Sequence, residues 1–293
     1  MKLLSLLLFI SSPCWASLLY TPVHFKSETA RLVVVLHGCL QSAESMALGT
    51  GWNQIADQNN LVILYPQAPP GSNPIGCWNW YLPENQRADR GQLKLIHDDI
   101  FETLERLQMK NAKIYLAGLS SGATTVAGLI SCYPQDFTAA AIHSGPSYGL
   151  AQNLFEGNQV LKDGPPSTRP PTSCNPNDFT GSLILIQGSD DHEVNPKNAD
   201  QVIADFARDA KALPPQDFTS GGLSYQVTDY WQKTNLKLRY VNIHGFPHAW
   251  AGFVKNLRYP TFVGPDSKNP TQIPFFNATG PSSTNLIWDF FKQ

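Results

Sequence analysis

The chain carries little charge and has no cluster of basic residues. Charged side chains make up 15% of its 293 residues, and the formal net charge is −2. Proteins that bind nucleic acid neutralise phosphates with grouped Lys and Arg side chains, and no such group stands out here. We therefore expect no nucleic-acid partner. The hydrophobic content of 42% is enough for one large folded domain.

Long apolar runs are also missing beyond the N-terminus. No later segment approaches the roughly 18 uninterrupted apolar residues of a membrane-spanning helix, so we expect no membrane span. The first residues contain Lys2, an apolar block over 3–10 and small residues near Ala16. This pattern predicts a signal peptide over 1–16 and a secreted protein, extracellular or periplasmic. A lipoprotein interpretation of Cys14 is disfavoured, because Ser-Ser-Pro precedes it.

Cysteine is scarce as well. Cleavage after Ala16 would remove one of five cysteines and leave Cys39, Cys77, Cys132 and Cys174. An even number in an oxidising compartment predicts two disulfides, for which three pairings exist. We favour pairing the first two and the last two, because the first two lie in loops expected at one end of the sheet. No C-x-x-C spacing suggests zinc, and we expect neither a metal nor a cofactor.

Apolar strands alternate with helices along the chain. The predicted strands are 31–37, 61–65, 114–117, 139–143 and 183–186 with a hairpin over 227–231 and 236–243, and the predicted helices are 43–58, 92–107, 123–130, 196–210 and 283–291. This alternation indicates an α/β fold, a mostly parallel central sheet with helices on both faces. The Pro-rich segment 145–180 lacks periodicity and predicts a lid-like excursion. We expect 17–293 to form a single domain.

A serine stands between a predicted strand and a predicted helix, in the run Gly118-Leu119-Ser120-Ser121-Gly122. This arrangement is typical of a nucleophile elbow, in which flanking glycines remove side chains that would collide where strand meets helix. The hydroxyl of Ser120 is then presented above the sheet in a strained turn. We therefore predict that Ser120 is a catalytic nucleophile of an α/β-hydrolase fold.

In α/β-hydrolases the acid and the histidine follow the nucleophile in the chain. The loop after the strand 183–186 carries Asp190 and Asp191, and a carboxylate that emerges from a strand end can reach toward the elbow. We predict Asp191 rather than Asp190 as the acid. The alternatives for this acidic cluster are a solvated loop and a cation site. We predict His248 as the base rather than His244, since His248 lies on a loop after the last strand.

The other histidines considered are expected in the core or at the surface: His24, His97 and His143.

These residue types imply a division of labour. The His248 imidazole takes the Ser120 proton during attack and returns it to the leaving alcohol, while Asp191 fixes the imidazole tautomer. Negative charge on the substrate carbonyl oxygen needs preorganised donors. The backbone N–H groups of Ser121 and Cys39 are the predicted pair, the latter in the loop after the first core strand.

Several motifs together resemble one family. They are Leu36-His37-Gly38-Cys39-Leu40-Gln41, Cys77-Trp78-Asn79-Trp80-Tyr81, the elbow, His143-Ser144-Gly145, the segment 188–194 and His248-Ala249-Trp250-Ala251-Gly252. They are similar to the motifs of the polyhydroxybutyrate (PHB) depolymerase family of esterases. The resemblance implies that Asp191 and His248 complete the triad and that the Cys39 N–H is an oxyanion donor. The broader superfamily includes feruloyl and acetylxylan esterases, so the motifs define the reaction better than the substrate.

Aromatic residues are frequent in the segments expected around the site. The predicted substrate-binding residues are Trp78, Trp80, Tyr81, Trp250 and Phe253, which would form an exposed apolar rim together with Phe246. Such a rim suits a water-insoluble polyester, although a sugar-linked ester would also use aromatic platforms. Core packing is the alternative interpretation of each residue.

The leading hypothesis is a secreted serine esterase, expected to be a monomer, that hydrolyses poly(3-hydroxybutyrate) or its oligomers through an acyl-enzyme. A feruloyl or acetylxylan esterase is the second hypothesis. The third is a non-catalytic surface-binding protein on a hydrolase scaffold. Only 45 residues follow His248, so we expect no separate polymer-binding domain of the kind that many secreted depolymerases carry.

Overall fold

A computed structural model describes residues 17–252 and 274–293. The predicted signal peptide 1–16 and Phe253 lie outside the described residues. The described strands are β1 (Leu18–Tyr20), β2 (Arg31–Leu36), β3 (Leu61–Tyr65), β4 (Ile114–Leu119), β5 (Ala139–His143), β6 (Ser182–Gly188), β7 (Lys211–Ala212), β8 (Gln216–Ser220), β9 (Leu223–Gln232), β10 (Asn235–Ile243), β11 (Trp250–Ala251) and β12 (Phe276–Asn277). The described helices are α1 (Ala43–Gly49), α2 (Trp52–Asn59), α3 (Gly91–Arg106), α4 (Ser121–Cys132), α5 (Leu154–Asp163), α6 (Lys197–Phe206) and α7 (Ser283–Phe291).

One large sheet organises the chain, with the strand order β1-β3-β2-β4-β5-β6-β10-β9-β7 and β8 also paired to β9. The pairings from β3 across to β10 are all parallel. The outer pairings, β1 with β3 and β9 with its neighbours, are antiparallel. The predicted mostly parallel sheet is therefore confirmed, and antiparallel strands are added at both edges.

Helices cover both faces of this sheet. Along β2, Leu32, Val34 and Leu36 belong to one apolar core, which also contains residues of α3, α4 and α6. The alternate residues Val33 and Val35 belong to a second core with residues of α1, α2 and α7. Because successive side chains of a strand point to opposite faces, a strand buried on both faces must be apolar throughout. This explains the continuous Leu-Val-Val-Val-Leu run.

The structure divides one predicted helix and adds strands that the sequence analysis did not predict. The predicted helix 43–58 is two helices, α1 and α2, which are separated at Gly51, where φ is +76°. Glycine adopts this left-handed conformation without the steric cost of a Cβ atom. The sequence reading also missed the short outer strands β1, β7 and β8; β7 and β8 are solvent-exposed along their whole length.

The segment 145–180 is more ordered than its predicted lid-like character implied. It contains α5, which begins after Asn153, whose side chain accepts a hydrogen bond from the Glu156 N–H. Gly157 and Val160 of this helix are buried. An ion pair between Arg169 and the buried Asp205 on α6 also ties the segment to the body of the domain. The helix was not predicted, because the high proline content of the whole segment indicates turns.

Two disulfides join distant parts of the fold in the favoured pairing. Cys39–Cys77 links the loop after β2 to the loop after β3. Cys132–Cys174 links the end of α4 to the segment that follows α5. In the described part of the chain, each helix falls short of the length and apolar character needed to cross a bilayer.

Removing the second disulfide should destabilise the fold without touching the sheet edge that carries Ser120. The bridge closes a loop of sequence separation 42, for which loop-closure entropy gives roughly 4 kcal/mol. We expect the double variant Cys132→Ser/Cys174→Ser to lose about that much free energy of unfolding, measured by urea denaturation. Wild-type protein in reductant, which loses both bridges, is the control and should be less stable still. An unchanged free energy of unfolding would contradict this account of the bridge.

Candidate active site

The candidate residues meet at the carboxyl edge of the parallel strands. A ladder of backbone hydrogen bonds continues there beyond the strands, from Ser120 N–H to His143 O and from Ser144 N–H to Ile186 O, each 2.9 Å. The Ser189 N–H likewise donates to a carbonyl at the end of β10 at 2.9 Å. The loops after β4, β5, β6 and β10 therefore leave the sheet side by side, at the edge where ligands bind in open α/β sheets.

Ser120 occupies a strained turn between β4 and α4. Its φ is 58° and its ψ is −122°, a conformation that costs a non-glycine residue free energy and that clusters at functional sites. A Cβ atom on Gly118 would lie 2.5 Å from the Gly122 backbone, and one on Gly122 would lie 2.5 Å from the His37 carbonyl oxygen. The glycines on both sides of Ser120 are therefore required by the close approach of three chain segments.

Asp191 and His248 form a buried hydrogen-bonded pair. His248 Nδ1 lies 2.8 Å from Asp191 Oδ2, and the two side chains are 4% and 0% exposed. A carboxylate accepts but does not donate, so Nδ1 carries the proton and Nε2 is left free to accept one. The pair therefore holds the imidazole in the tautomer that a general base requires.

The Asp191 carboxylate is fully supplied with donors. Its Oδ1 accepts from the N–H groups of Glu193 at 3.0 Å and Val194 at 2.8 Å. Its Oδ2 accepts from Gln187 Nε2 at 3.0 Å besides the imidazole. Burial alone would raise the pKa of Asp191, but the hydrogen bond and charge of His248 and the two backbone N–H groups outweigh it and lower that pKa. The carboxylate therefore stays ionised although it is buried.

The loops that carry the acid and the histidine are bonded to each other. The Asp190 N–H donates to Phe246 O at 3.1 Å, and the Gly245 N–H donates to Ser189 Oγ at 2.8 Å. At Gly188 a Cβ atom would lie 2.2 Å from the same Phe246 oxygen. This close contact fixes the separation of the two loops.

The competing candidates, Asp190 and His244, have other partners. Asp190 is exposed, and its Oδ1 lies 3.1 Å from the exposed His192. His244 is exposed as well, and its Nδ1 lies 3.1 Å from Ser224 Oγ. Of the four residues that sequence reasoning weighed for these two roles, the structure thus brings together Asp191 and His248. Both Asp191 oxygens accept hydrogen bonds from protein donors, and no group of three or more His, Cys, Asp or Glu side chains suited to a metal ion occurs among the described residues.

The contact between Ser120 and His248 is open. Within residues 17–252 and 274–293, no hydrogen bond joins the Ser120 hydroxyl to the imidazole. Catalytic hydrogen bonds of this kind are often long before substrate binds and tighten in the complex. A serine hydroxyl needs only rotation about its Cα–Cβ bond to change partner.

Two backbone N–H groups next to Ser120 lack acceptors among the described residues. Ser121 is the first residue of α4, where a helix leaves N–H groups unsatisfied. In the loop after β2, Gly38 N–H donates to Gln41 Oε1 and Leu40 N–H donates to Ile75 O, whereas no acceptor is found for Cys39 N–H within the described ranges. A Cβ atom on Gly38 would lie 3.2 Å from Ser120 Cβ. Both donors are therefore beside the serine.

The buried side chain of His37 fixes the direction of the Cys39 donor. Its Nε2 accepts from Ala68 N–H at 3.0 Å, so the proton is on Nδ1, which lies 2.8 Å from Gly38 O. In a trans peptide the C=O and the next N–H point in opposite directions, so holding Gly38 O turns the Cys39 N–H away from His37. Burial lowers the pKa of His37 to about 4, although the hydrogen bond to Gly38 acts in the opposite direction. The ring is therefore neutral at pH 7.

The expected exposed aromatic rim is wrong for the five of its residues that the structure describes. The buried residues are Trp78, Trp80, Tyr81, Phe246 and Trp250. Trp78 donates from Nε1 to His37 O at 2.9 Å, and Trp250 stacks on His143. Trp80 and Tyr81 pack in a small core with residues of α5. These aromatic side chains therefore belong to the interior packing of the domain, and Phe253 lies outside the described residues.

Exposed apolar side chains near the site were missed. Leu40 is 56% exposed and Ile75 is 51% exposed, and the backbone hydrogen bond from Leu40 N–H to Ile75 O places them side by side. Leu40 directly follows Cys39. The available signal was an isolated aliphatic residue within each of two loops that a predicted disulfide would join.

The family model described as "Esterase PHB depolymerase" matches residues 15–214. This chain belongs to that esterase family. Among curated relatives of this PHB depolymerase family member, poly(3-hydroxyalkanoate) depolymerase C of Paucimonas lemoignei is 26% identical over 231 residues, covering 75% of this chain and 55% of the relative. Feruloyl esterase B of Thermothelomyces thermophilus is 31% identical over 139 residues, covering 45% of this chain and 47% of the relative. The chain spans about half the length of these relatives.

A solved structure supports the fold of this PHB depolymerase family member. Acetyl xylan esterase from Aspergillus awamori superposes with a TM-score of 0.66 at 19% identity, covering 82% of this chain and 90% of that one. At this identity the likeness shows the fold alone. The predicted α/β-hydrolase fold is therefore confirmed.

Acid should weaken this fold through its buried histidines. The pKa of His37 is about 4 and that of His143 about 3, against 6.5 for an ordinary histidine. Below about pH 6.5 the unfolded chain therefore binds protons that the folded chain does not, so the free energy of unfolding falls as pH drops from about 6.5 to 4. We expect a loss of roughly 1 to 3 kcal/mol per pH unit in this window, measured by urea denaturation.

The variant His37→Gln should reduce this slope, because one of the two protonation sites is removed. His97→Gln is the matched control, since His97 is half-buried and bonded to Asp136 at 2.9 Å. A free energy of unfolding that stays constant between pH 6.5 and 4.5 would contradict the neutral assignment of both buried rings.

Proposed function

We propose that this chain is a serine carboxylic-ester hydrolase in which Ser120, His248 and Asp191 form the catalytic triad. The observation that carries the proposal is the buried bond of 2.8 Å between His248 Nδ1 and Asp191 Oδ2. This pair occupies the same sheet edge as the strained serine turn and two N–H groups that have no acceptor within residues 17–252 and 274–293. Membership of an esterase family supports the same reaction class.

The reaction follows from the proton positions. His248 Nε2 takes the hydroxyl proton as Ser120 Oγ attacks the ester carbonyl carbon, and the C=O electron pair becomes an oxyanion. The N–H groups of Cys39 and Ser121 stabilise that oxyanion. When the C=O bond reforms, the bond to the alcohol breaks and the alcohol receives the proton from His248. Water then hydrolyses the acyl-enzyme by the same steps, which regenerates the serine.

Poly(3-hydroxybutyrate) or its oligomers are the proposed substrates. The relative named as a poly(3-hydroxyalkanoate) depolymerase covers 75% of this chain, whereas the feruloyl esterase B relative covers 45%. The exposed pair Leu40 and Ile75, next to the proposed oxyanion donor, suits an apolar polyester. Feruloyl or acetylxylan ester hydrolysis is the second candidate, favoured by the feruloyl esterase relative itself.

Secretion is part of the proposal. The N-terminal pattern over 1–16 is typical of a signal peptide. Two disulfides are characteristic of proteins that leave the reducing cytosol. We propose that the protein acts in the periplasm or outside the cell.

Replacing the proposed nucleophile tests the reaction. Ser120→Ala removes the attacking oxygen, so we expect release of 3-hydroxybutyrate to fall at least about a thousand-fold, with the fold retained by circular dichroism. Ser131→Ala is a matched control, because Ser131 is a buried serine on α4, the helix that follows Ser120, and its hydroxyl donates to Ala127 O. Undiminished release by Ser120→Ala would overturn the assignment. No turnover and no labelling of wild-type protein by a serine-directed phosphonate would favour the surface-binding hypothesis.

A substrate panel distinguishes the two ester classes. We expect kcat/KM for 3-hydroxybutyrate oligomers to exceed that for feruloylated or acetylated xylan by about ten-fold or more, a ratio that modest apolar contacts in a pocket can supply. The measurement is initial rate on each substrate at equal ester concentration, with p-nitrophenyl acetate as a reference for intact chemistry. Faster turnover of the carbohydrate esters, with p-nitrophenyl acetate still hydrolysed, would reassign the substrate and leave the reaction class standing.

A further inference from the structure

His143 is fully buried at the end of β5, next to the proposed nucleophile. Its backbone carbonyl accepts the hydrogen bond from Ser120 N–H at 2.9 Å. Its ring is the part of the residue that the proposed mechanism does not use. A polar ring with no exposed surface is costly to bury unless both nitrogens find partners, and the identity of those partners shows what the ring holds in place.

Both ring nitrogens have a hydroxyl partner. Nδ1 lies 3.0 Å from Ser144 Oγ, and Nε2 lies 2.9 Å from Ser283 Oγ at the start of α7. Ser283 Oγ also accepts the backbone N–H of Ala251 at 3.0 Å. A chain of hydrogen bonds therefore runs from the end of β5, through one hydroxyl, to the backbone of β11.

A second contact reaches the same strand. The ring of His143 stacks on the Trp250 indole with 5.3 Å between centroids, and the indole Nε1 donates to Thr284 Oγ1 at 3.0 Å. Trp250 and Ala251 are the second and third residues after His248. The His143 ring therefore contacts β11, the strand that follows the proposed base. The backbone carbonyl of the same residue binds the N–H of Ser120, the proposed nucleophile.

The charge state of the ring suits a position beside the relay. Burial, and then the neighbouring His248, lower the pKa of His143 to about 3, against an opposing effect of Asp191. A ring that stays neutral at pH 7 adds no positive charge next to the imidazolium that forms on His248 during turnover.

We propose that His143 is a positioning residue for the catalytic histidine. Its ring holds β11 in register with the serine turn through the Ser283 hydroxyl and the Trp250 indole. The inference rests on the proposed function, because it assigns a role in placing a base. Displacement of about 1 Å at a reacting group can lower the rate about a hundred-fold, so loss of this link should act on kcat rather than on substrate binding.

Ser283→Ala tests the link with the smallest change. It removes the hydroxyl that joins the ring to Ala251 and leaves the ring in place. With a soluble p-nitrophenyl ester we expect kcat to fall roughly ten-fold or more and KM to change less than about two-fold. A fall in melting temperature with unchanged kcat would show a merely structural role and would overturn the proposal.

Variants at position 143 separate the hydrogen bond from the packing. His143→Gln places an amide near the position of Nε2 and should retain at least about ten-fold more kcat than His143→Leu, which has no acceptor. The double variant His143→Leu/Ser283→Ala should lose no more than the larger single effect, because both changes break one chain of bonds. Equal kcat for the Gln and Leu variants, or additive losses in the double variant, would contradict the link.

His97→Gln is the matched control for these variants. The His97 ring also stacks on an aromatic ring, that of Tyr133, and also bonds through Nε2, to Asp136, but it lies on α3. We expect this control to keep wild-type kcat and KM. If wild-type protein hydrolyses the ester and Ser120→Ala does not, while the variants at 143 and 283 match wild type, then the positioning role alone fails. If wild-type protein hydrolyses no ester, the proposed function fails first.

Discussion

The close approach of three chain segments at the serine turn is the constraint on which the site depends. Strand β4, helix α4 and the end of β2 come so near that Gly122 has no space for a Cβ atom beside the His37 carbonyl oxygen. This crowding forces Ser120 into a positive φ and brings the Cys39 loop against it. Strain in the turn is offset by the packing of a sheet that is apolar on both faces, so the core of the fold stabilises a conformation that the local sequence disfavours.

Histidines with different environments share the sheet edge. His37 and His143 are buried with partners on both ring nitrogens and stay neutral. His248 has one nitrogen bonded to a carboxylate and the other without a partner among the described residues. Burial with satisfied partners makes the first two rings into fixed hydrogen-bonding groups. In His248 only Nδ1 is held by a carboxylate, so Nε2 is left as a proton acceptor. Residue type alone therefore does not assign a role, since the partners of each ring nitrogen decide it.

Local signals predicted much of the fold and of the candidate site. The strand–serine–helix pattern, the glycines around Ser120 and the late Asp191 and His248 are properties of short segments, and the structure brings these segments together. The exposure of Trp78 and Trp250 was predicted wrongly, because burial depends on what packs above a loop, which is a long-range property. The break between α1 and α2 and the existence of α5 depended on single capping positions, Gly51 and Asn153, within segments whose composition suggested something else.

The Cys39–Cys77 bridge gives the site a dependence on its surroundings. Cys39 contributes its sulfur to the bridge and its backbone N–H to the proposed anion-stabilising pair. The redox state of this residue is therefore linked to the position of a proposed oxyanion donor. In a reducing cytosol the bridge would be open, and the loop would lose its covalent hold on the strand β3 side of the sheet. If the protein is exported as proposed, the oxidation that closes this bridge would also fix the loop that carries the proposed oxyanion donor.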